Sequence, residues 1–169
     1  MKTKDSIGEE VLGGLIGAAE VKWLAKEIRA NRLFENLFDI DDRVARNSAW
    51  VLTHKPISEI RELPQSKLID LAISTPNPSL RRLVLNLIEQ QPMAKEDIRT
   101  DFLDFCLQRM TMLEEAPGVQ SLCMKLAYRM CKYYPELTNE FEAALSLIPS
   151  EQYKPGVRYL IKKLKTQLS

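Results

Sequence analysis

The chain has 169 residues, 45% of them hydrophobic and 28% charged, with 24 Lys plus Arg against 23 Asp plus Glu and a formal net charge of +1. That size and mixture exclude a disordered or fibrous chain and predict one globular domain over residues 1–169. The near balance of charge excludes a global field able to draw the domain onto nucleic acid or an anionic membrane, so a charged partner has to use a local patch.

In chain order, the first segment, Glu9 to Asn31, carries Val11, Leu12, Leu15, Ile16, Val21, Leu24, Ala25 and Ile28 at near-helical spacing and predicts one or two helices. Residues 1–31 are read as a helical extension. Gly8, Gly13, Gly14 and Gly17 each lower its helicity by up to about 1 kcal/mol relative to alanine, so its order depends on packing or on a partner. The apolar run from Val11 to Ala19 is too short to span a bilayer, and a secretory signal would need a cleaner basic start than Met1 to Asp5 with Glu9 and Glu10 close behind. The expectation is a cytoplasmic protein with no membrane partner. Trp23 is assigned to the core.

From residue 32 the chain repeats itself. Four segments, Asp41-Asp42-Arg43-Val44, Asn77-Pro78-Ser79-Leu80, Ala116-Pro117-Gly118-Val119 and Lys154-Pro155-Gly156-Val157, recur with a period of about 38 residues, the range of helical-hairpin repeats. Proline in the second position of three of them marks a helix start, where its missing N–H has no intrahelical partner. Asp41 and Asn77 can cap through their side chains, and Ala116 and Lys154 cannot. Behind each lead residue, apolar side chains return at offsets 3, 4, 7 and 8, as in Leu83, Val84, Leu87 and Ile88, or Leu122, Cys123, Leu126 and Ala127. The first and last copies are more polar there, holding Asn47 and Ser48 in one and Lys165 in the other, as terminal repeats do.

Apolar stretches at Arg32 to Ile40, Ser66 to Ser74, Phe102 to Leu113 and Phe141 to Ile148 supply the first helix of each hairpin, with breaks at Pro56, Pro64, Pro76, Pro92, Pro135 and Pro149. The repeats run approximately over 32–56, 57–92, 95–135 and 136–169. The fold expected is all-α, an α-α superhelix of antiparallel helical hairpins. Cys106, Cys123 and Cys131 lie in apolar helical runs with no ligand-like spacing, and are expected as buried free thiols in a reducing compartment.

The start motif followed by arginine, in Val44-Ala45-Arg46, Leu80-Arg81-Arg82 and Val157-Arg158, resembles HEAT and armadillo-type repeats over about residues 32 to 168. The resemblance implies a superhelix whose second helices line the concave side, and a scaffold that binds a protein or peptide. More narrowly, Arg46 to Leu52 is similar to small bacterial HEAT-like proteins, some of them labelled adenylosuccinate lyase. Lyases of that superfamily are much longer and use a serine-rich loop with histidines. This chain has one histidine, His54, and no such loop, so no catalytic residue, cofactor or metal is assigned. Some HEAT-like proteins also resemble DNA alkylation-repair glycosylases. That gives nucleic acid as a second class of partner, disfavoured by the near-zero charge.

The candidate surface is the stripe opposite the apolar face of the second helices: Arg46 and Trp50, Arg82 and Asn86, Lys125 and Tyr128, Tyr159 and Lys163. Stacked repeats would align these into a ridge of the residue types enriched in binding hot spots. An ordinary solvated face is the alternative, and a packed Trp50, in the core beside Trp23 and the N-terminal helix, is the commoner outcome for such a residue. His54, at the end of a helix, is read as exposed or capping. The last helix is a local basic patch, Lys154, Arg158, Lys162, Lys163 and Lys165 without an acid, suited to an acidic group or to solubilising a terminal repeat. The carboxylate pairs Asp41-Asp42 and Glu114-Glu115, and Asp101 with Asp104, are read as caps and solubilising charges.

Overall fold

The computed structural model describes residues 4–169, with side chains from residue 8 onward. Every regular element among the described residues is helical. Contacts divide the chain into two compact units, Met1–Gln91 and Pro92–Ser169.

In the first unit, α1 (Lys4–Leu12) and α2 (Ala18–Glu27) precede the hairpin of α3 (Ala30–Asn36) and α4 (Asp42–Leu52). A short α5 (Ile57–Arg61) leads to the hairpin of α6 (Gln65–Ser74) and α7 (Pro78–Glu89). The extension is thus two helices, broken at the glycines. Leu12, Val21, Leu24 and Ile28 are fully buried, and both helices pack on α4, which gives the glycine-rich start the tertiary support it lacks locally. Trp23 does not join this core. It is 44% exposed because the buried stripe of α2 runs through Val21 and Leu24, and position 23 falls outside it.

The second unit pairs α8 (Thr100–Thr111) with α9 (Pro117–Cys131), and α10 (Pro135–Leu147) with α11 (Pro155–Leu168). Single 3-10 turns at Lys95–Asp97 and Ser150–Gln152 lead into α8 and α11. Helix α10 starts at Pro135, a full turn and more ahead of the apolar stretch that announces it, because proline opens a helix as readily as it closes the one before.

Starts of the second helices follow the sequence closely. Asp41 accepts from the Arg43 N–H, and Asn77 accepts from the N–H groups of Ser79 and Leu80. Ala116 and Lys154 make no side-chain cap. Helix ends are closed differently, by polar side chains that reach in from elsewhere in the chain. Arg81, 7% exposed, donates Nε to the Ala72 carbonyl at 3.0 Å and a terminal nitrogen to that of Thr75. Gln91 donates to the carbonyls of Ile60 and Leu63, Gln120 to that of Met112, and the Tyr153 hydroxyl to that of Met110. These bring donors to carbonyls at helix ends, most of them out of reach of water.

All three cysteines are free and buried. Burial, with Glu140 adding to it, pushes the Cys131 thiol from an ordinary 9.0 up to about 11, and burial raises Cys106 in the same direction. The folded chain therefore keeps protons that the unfolded chain releases above about pH 9, and folding stability falls as pH rises from there towards 11. Melting temperature followed from pH 8 to 11 should decline, and the decline should be shallower in Cys131→Ala. Equal slopes would show that the thiol does not contribute.

Two glycines separate space from propensity. A Cβ on Gly8 would lie 2.8 Å from Ile28 Cγ1 and Cδ1, whereas one on Gly156, in the first turn of α11, meets nothing within 4 Å. Gly8→Ala should cost about 1–3 kcal/mol through overpacking, and Gly156→Ala should add up to about 1 kcal/mol by narrowing the unfolded ensemble. Chemical denaturation of the two variants checks both signs.

Candidate functional site

Helix α4 divides its faces sharply. Ala45, Asn47, Ser48, Ala49, Val51 and Leu52 are buried, which leaves Arg43, Arg46, Trp50 and His54 on the outward stripe at spacings of three and four. Helix α7 does the same, with Leu80, Leu83, Val84, Leu87 and Ile88 inward and Ser79, Arg82 and Asn86 outward. The two helices pack on each other, and the first turns of both line one cleft of about 280 Å³. Its walls are Arg43, Arg46 and Asn47 of α4, Asn77 and Ser79 at the start of α7, and the turn Gly14-Leu15-Ile16, with Asp42 as its carboxylate.

Within this face the structure joins Arg46 and Trp50. The guanidinium carbon stands 5.0 Å from the centre of the indole, a cation–π distance, and Trp50 is half-buried beneath it, so it is neither a bare ridge residue nor part of the sealed core. On its other side Arg46 Nη1 donates to Asn47 Oδ1 at 3.1 Å. Asn47 is 1% exposed, and its Nδ2 donates to the Leu12 carbonyl at 2.8 Å and the Gly14 carbonyl at 2.9 Å. One buried amide therefore holds the glycine turn and orients the arginine. Leu15, at the tip of that turn, is 91% exposed.

Arg43, Arg46 and Arg82 form no ion pair among the described residues. Other arginines do: Arg32 with Glu9 and Glu35, Arg99 with Asp101, and Arg109 with Glu115. The hydrogen bond from Arg99 holds the Asp101 carboxyl below its ordinary range, and Asp41 serves as a cap, so these carboxylates act in structure. Asn86, half-buried, accepts from Gln90 at 2.8 Å.

In the second unit α9 and α11 are the packed second helices. Lys125 and Lys163 are exposed, and Tyr159 is 71% exposed. Tyr128 is half-buried, its ring 5.8 Å from that of Phe141 on α10 and beneath the Lys132 ammonium, so much of its surface is taken up by packing. The basic side of α11 presents Arg158, Lys162 and Lys165 around a recess of about 450 Å³ with no Asp or Glu side chain in its lining. His54 is exposed, with Nδ1 at 3.1 Å from the Trp50 carbonyl at the end of α4, as read from its position.

Two features have no counterpart in the sequence reading. A groove of about 900 Å³ runs along the first helices of the first unit, with Ala30, Phe34, Leu63 and Pro64 in its lining and Glu35, Glu59, Glu62, Arg29 and Lys67 around them. Its lining comes partly from α5, which the sequence shows only as a gap between Pro56 and Pro64. The second is the link from Asn47 to the glycine turn. Its sequence signal is a polar residue at an offset that is apolar in the other three copies.

No group of three or more His, Cys, Asp or Glu among the described residues is placed to hold a metal ion, and no described helix is long and apolar enough to cross a membrane. If Asn47 is the strut of this face, Asn47→Ala should cost about 1–3 kcal/mol, since it strands the Leu12 carbonyl in a buried place and the Gly14 carbonyl in a half-buried one. It should also release Arg46, seen as a change in the emission of Trp50 in a Trp23→Phe background. A loss under 0.5 kcal/mol with unchanged emission would deny the strut.

The family model described as HEAT repeat domain matches residues 9–168. Comparison with curated proteins and with solved structures returns no match. The matched span takes in the glycine-rich helices as well as all four hairpins, and with the stacked antiparallel helices and their proline starts it establishes that the chain belongs to the HEAT repeat family.

Proposed function

We propose that the chain is a non-catalytic cytoplasmic scaffold that takes a protein or peptide segment on the outward face of its second helices. The observation that carries this reading is the face of α4 and α7. It holds three arginines without ion pairs beside a half-buried tryptophan, in a chain whose other surface arginines include several matched to carboxylates. Arginine and tryptophan combine large contact area with charge and donors, and an oriented guanidinium loses little entropy on binding. Arg46, Trp50, Arg82 and Asn86 are assigned to contact in the first unit. Lys125, Tyr128, Tyr159 and Lys163 are assigned to it in the second, where Tyr128 offers only its exposed edge.

A protein segment is favoured over nucleic acid by charge, because Asp42 lines the same cleft and the chain as a whole carries +1. Affinity capture from nuclease-treated cytoplasmic extract, with wild type, Arg82→Glu, Lys125→Glu and the double variant as baits, tests the assignment. A protein retained by wild type should be reduced at least tenfold by Arg82→Glu, with circular dichroism and melting temperature unchanged. Equal retention by all four baits would remove the ridge. Capture that disappears with nuclease treatment and weakens steeply with salt would shift the reading to nucleic acid.

A further inference from the structure

We infer that the cleft between the Gly14-Leu15-Ile16 turn and the first turns of α4 and α7 is a seat for a side-chain carboxylate of an acidic segment, gripped by Arg46 and Arg43, with an adjoining apolar side chain laid against Leu15. This rests on the reading of the α4 and α7 face as a protein-binding surface and specifies what that surface recognises.

Three observations carry it. First, Arg46 is held on both sides, by the Trp50 ring at 5.0 Å and by Asn47 Oδ1 at 3.1 Å, and only one of its donors is engaged. A planar guanidinium fixed in this way offers its remaining N–H groups as a preformed fork, the geometry that carboxylates accept with two parallel hydrogen bonds. Second, Arg43 lines the same cleft without an ion pair among the described residues, so a single negative charge would meet two cations against the one carboxylate of Asp42. Third, the opposite wall is apolar and outward. Leu15 is 91% exposed on a turn whose Gly14 carbonyl is tied to the same Asn47 that orients Arg46, so the turn that carries the apolar side chain and the cation hang on one residue.

The occupant is a carboxylate and not a phosphate. Phosphate seats at helix starts depend on free backbone N–H groups, and here those of Arg43, Ser79 and Leu80 already donate to Asp41 and Asn77. A volume of about 280 Å³ suits one acidic side chain and part of its neighbour.

The test uses fluorescently labelled twelve-residue peptides of four repeated Glu-Glu-Leu units, the Gln-Gln-Leu counterpart, and a phosphoserine-Gln-Leu counterpart, with binding read by polarisation at 0.05 M and 0.3 M salt. Wild type should bind the glutamate peptide at least tenfold more tightly than the glutamine peptide. Arg46→Gln should abolish that preference, lowering the glutamate-peptide affinity to about that of the glutamine peptide. Arg46→Lys, which keeps the charge and loses the fork, should restore only part of it, and Leu15→Ser should weaken the glutamate peptide several-fold. The seat is overturned if wild type shows no preference for glutamate, if Arg46→Gln weakens both peptides equally, or if the phosphoserine peptide binds more tightly. Failure of the wider reading looks different: Arg82→Glu would then leave the affinity of every peptide unchanged, whatever Arg46 does.

Discussion

Closing the ends of short helices out of reach of water is the constraint on which this structure depends. A helix of 7 to 15 residues, the length of most helices here, leaves its last carbonyls without intrahelical partners, and hairpin stacking buries many of those ends against the next helix. An unmet carbonyl in such a place costs about as much as a core contact contributes. The chain answers with polar side chains from elsewhere in the chain, most of them buried: Arg81 for α6, Gln120 and Tyr153 for α8, Asn47 for α1, Gln91 for α5, and the half-buried Thr138 for α9. Two of these, Arg81 and Gln120, follow directly on the lead apolar residue of their repeat. The repeat is therefore a pattern of capping as well as of hydrophobic spacing, and the arginine of the start motif earns its place in the second repeat as a clamp on the helix before it.

Much of this was legible because the signals are local. Proline at the second position of the start motif, Asp41 and Asn77 as side-chain caps, Ala116 and Lys154 without them, and the offsets of three and four behind each lead residue all act within one helix turn. They appear in the structure as read. What was not legible depends on a neighbour. Nothing in the five residues of α5 has a period, since it is barely longer than one turn and is held by Gln91 from far along the chain. Trp23 reads as core by residue type and is placed outside by the register of Val21 and Leu24. Tyr128 reads as surface by offset and is partly covered by Phe141, whose helix the sequence starts too late.

The same division runs through the candidate site. Arg46, Trp50, Arg82 and Asn86 fall on outward stripes that helical geometry fixes, so their grouping by offset followed from periodicity alone. The fixing of Arg46 did not, because it passes through Asn47 to carbonyls more than thirty residues earlier, and a polar residue at a core offset reads in sequence only as a weak terminal repeat. Net charge does not locate the open arginines for a related reason. A total of +1 averages over arginines matched to carboxylates, as Arg32, Arg99 and Arg109 are, and arginines left open on one face. Only the pairing tells them apart.

Asn47 shows why a polar residue belongs at a position the other repeats fill with Leu83, Leu122 or Leu160. Leucine there would add burial worth about 1.5–3 kcal/mol, but it would leave the Leu12 and Gly14 carbonyls without donors and the turn from Gly13 to Gly17 without a tether. The glycines make that tether necessary, since they remove the intrinsic order that would otherwise hold the turn. The amide thus fixes the first two helices against α4 by direction as well as by contact, and through its own oxygen it fixes Arg46 by the same geometry. A site built this way inherits its rigidity from the fold: the group that closes the helix end is the group that aims the cation, so the arginine's orientation is settled before any partner arrives.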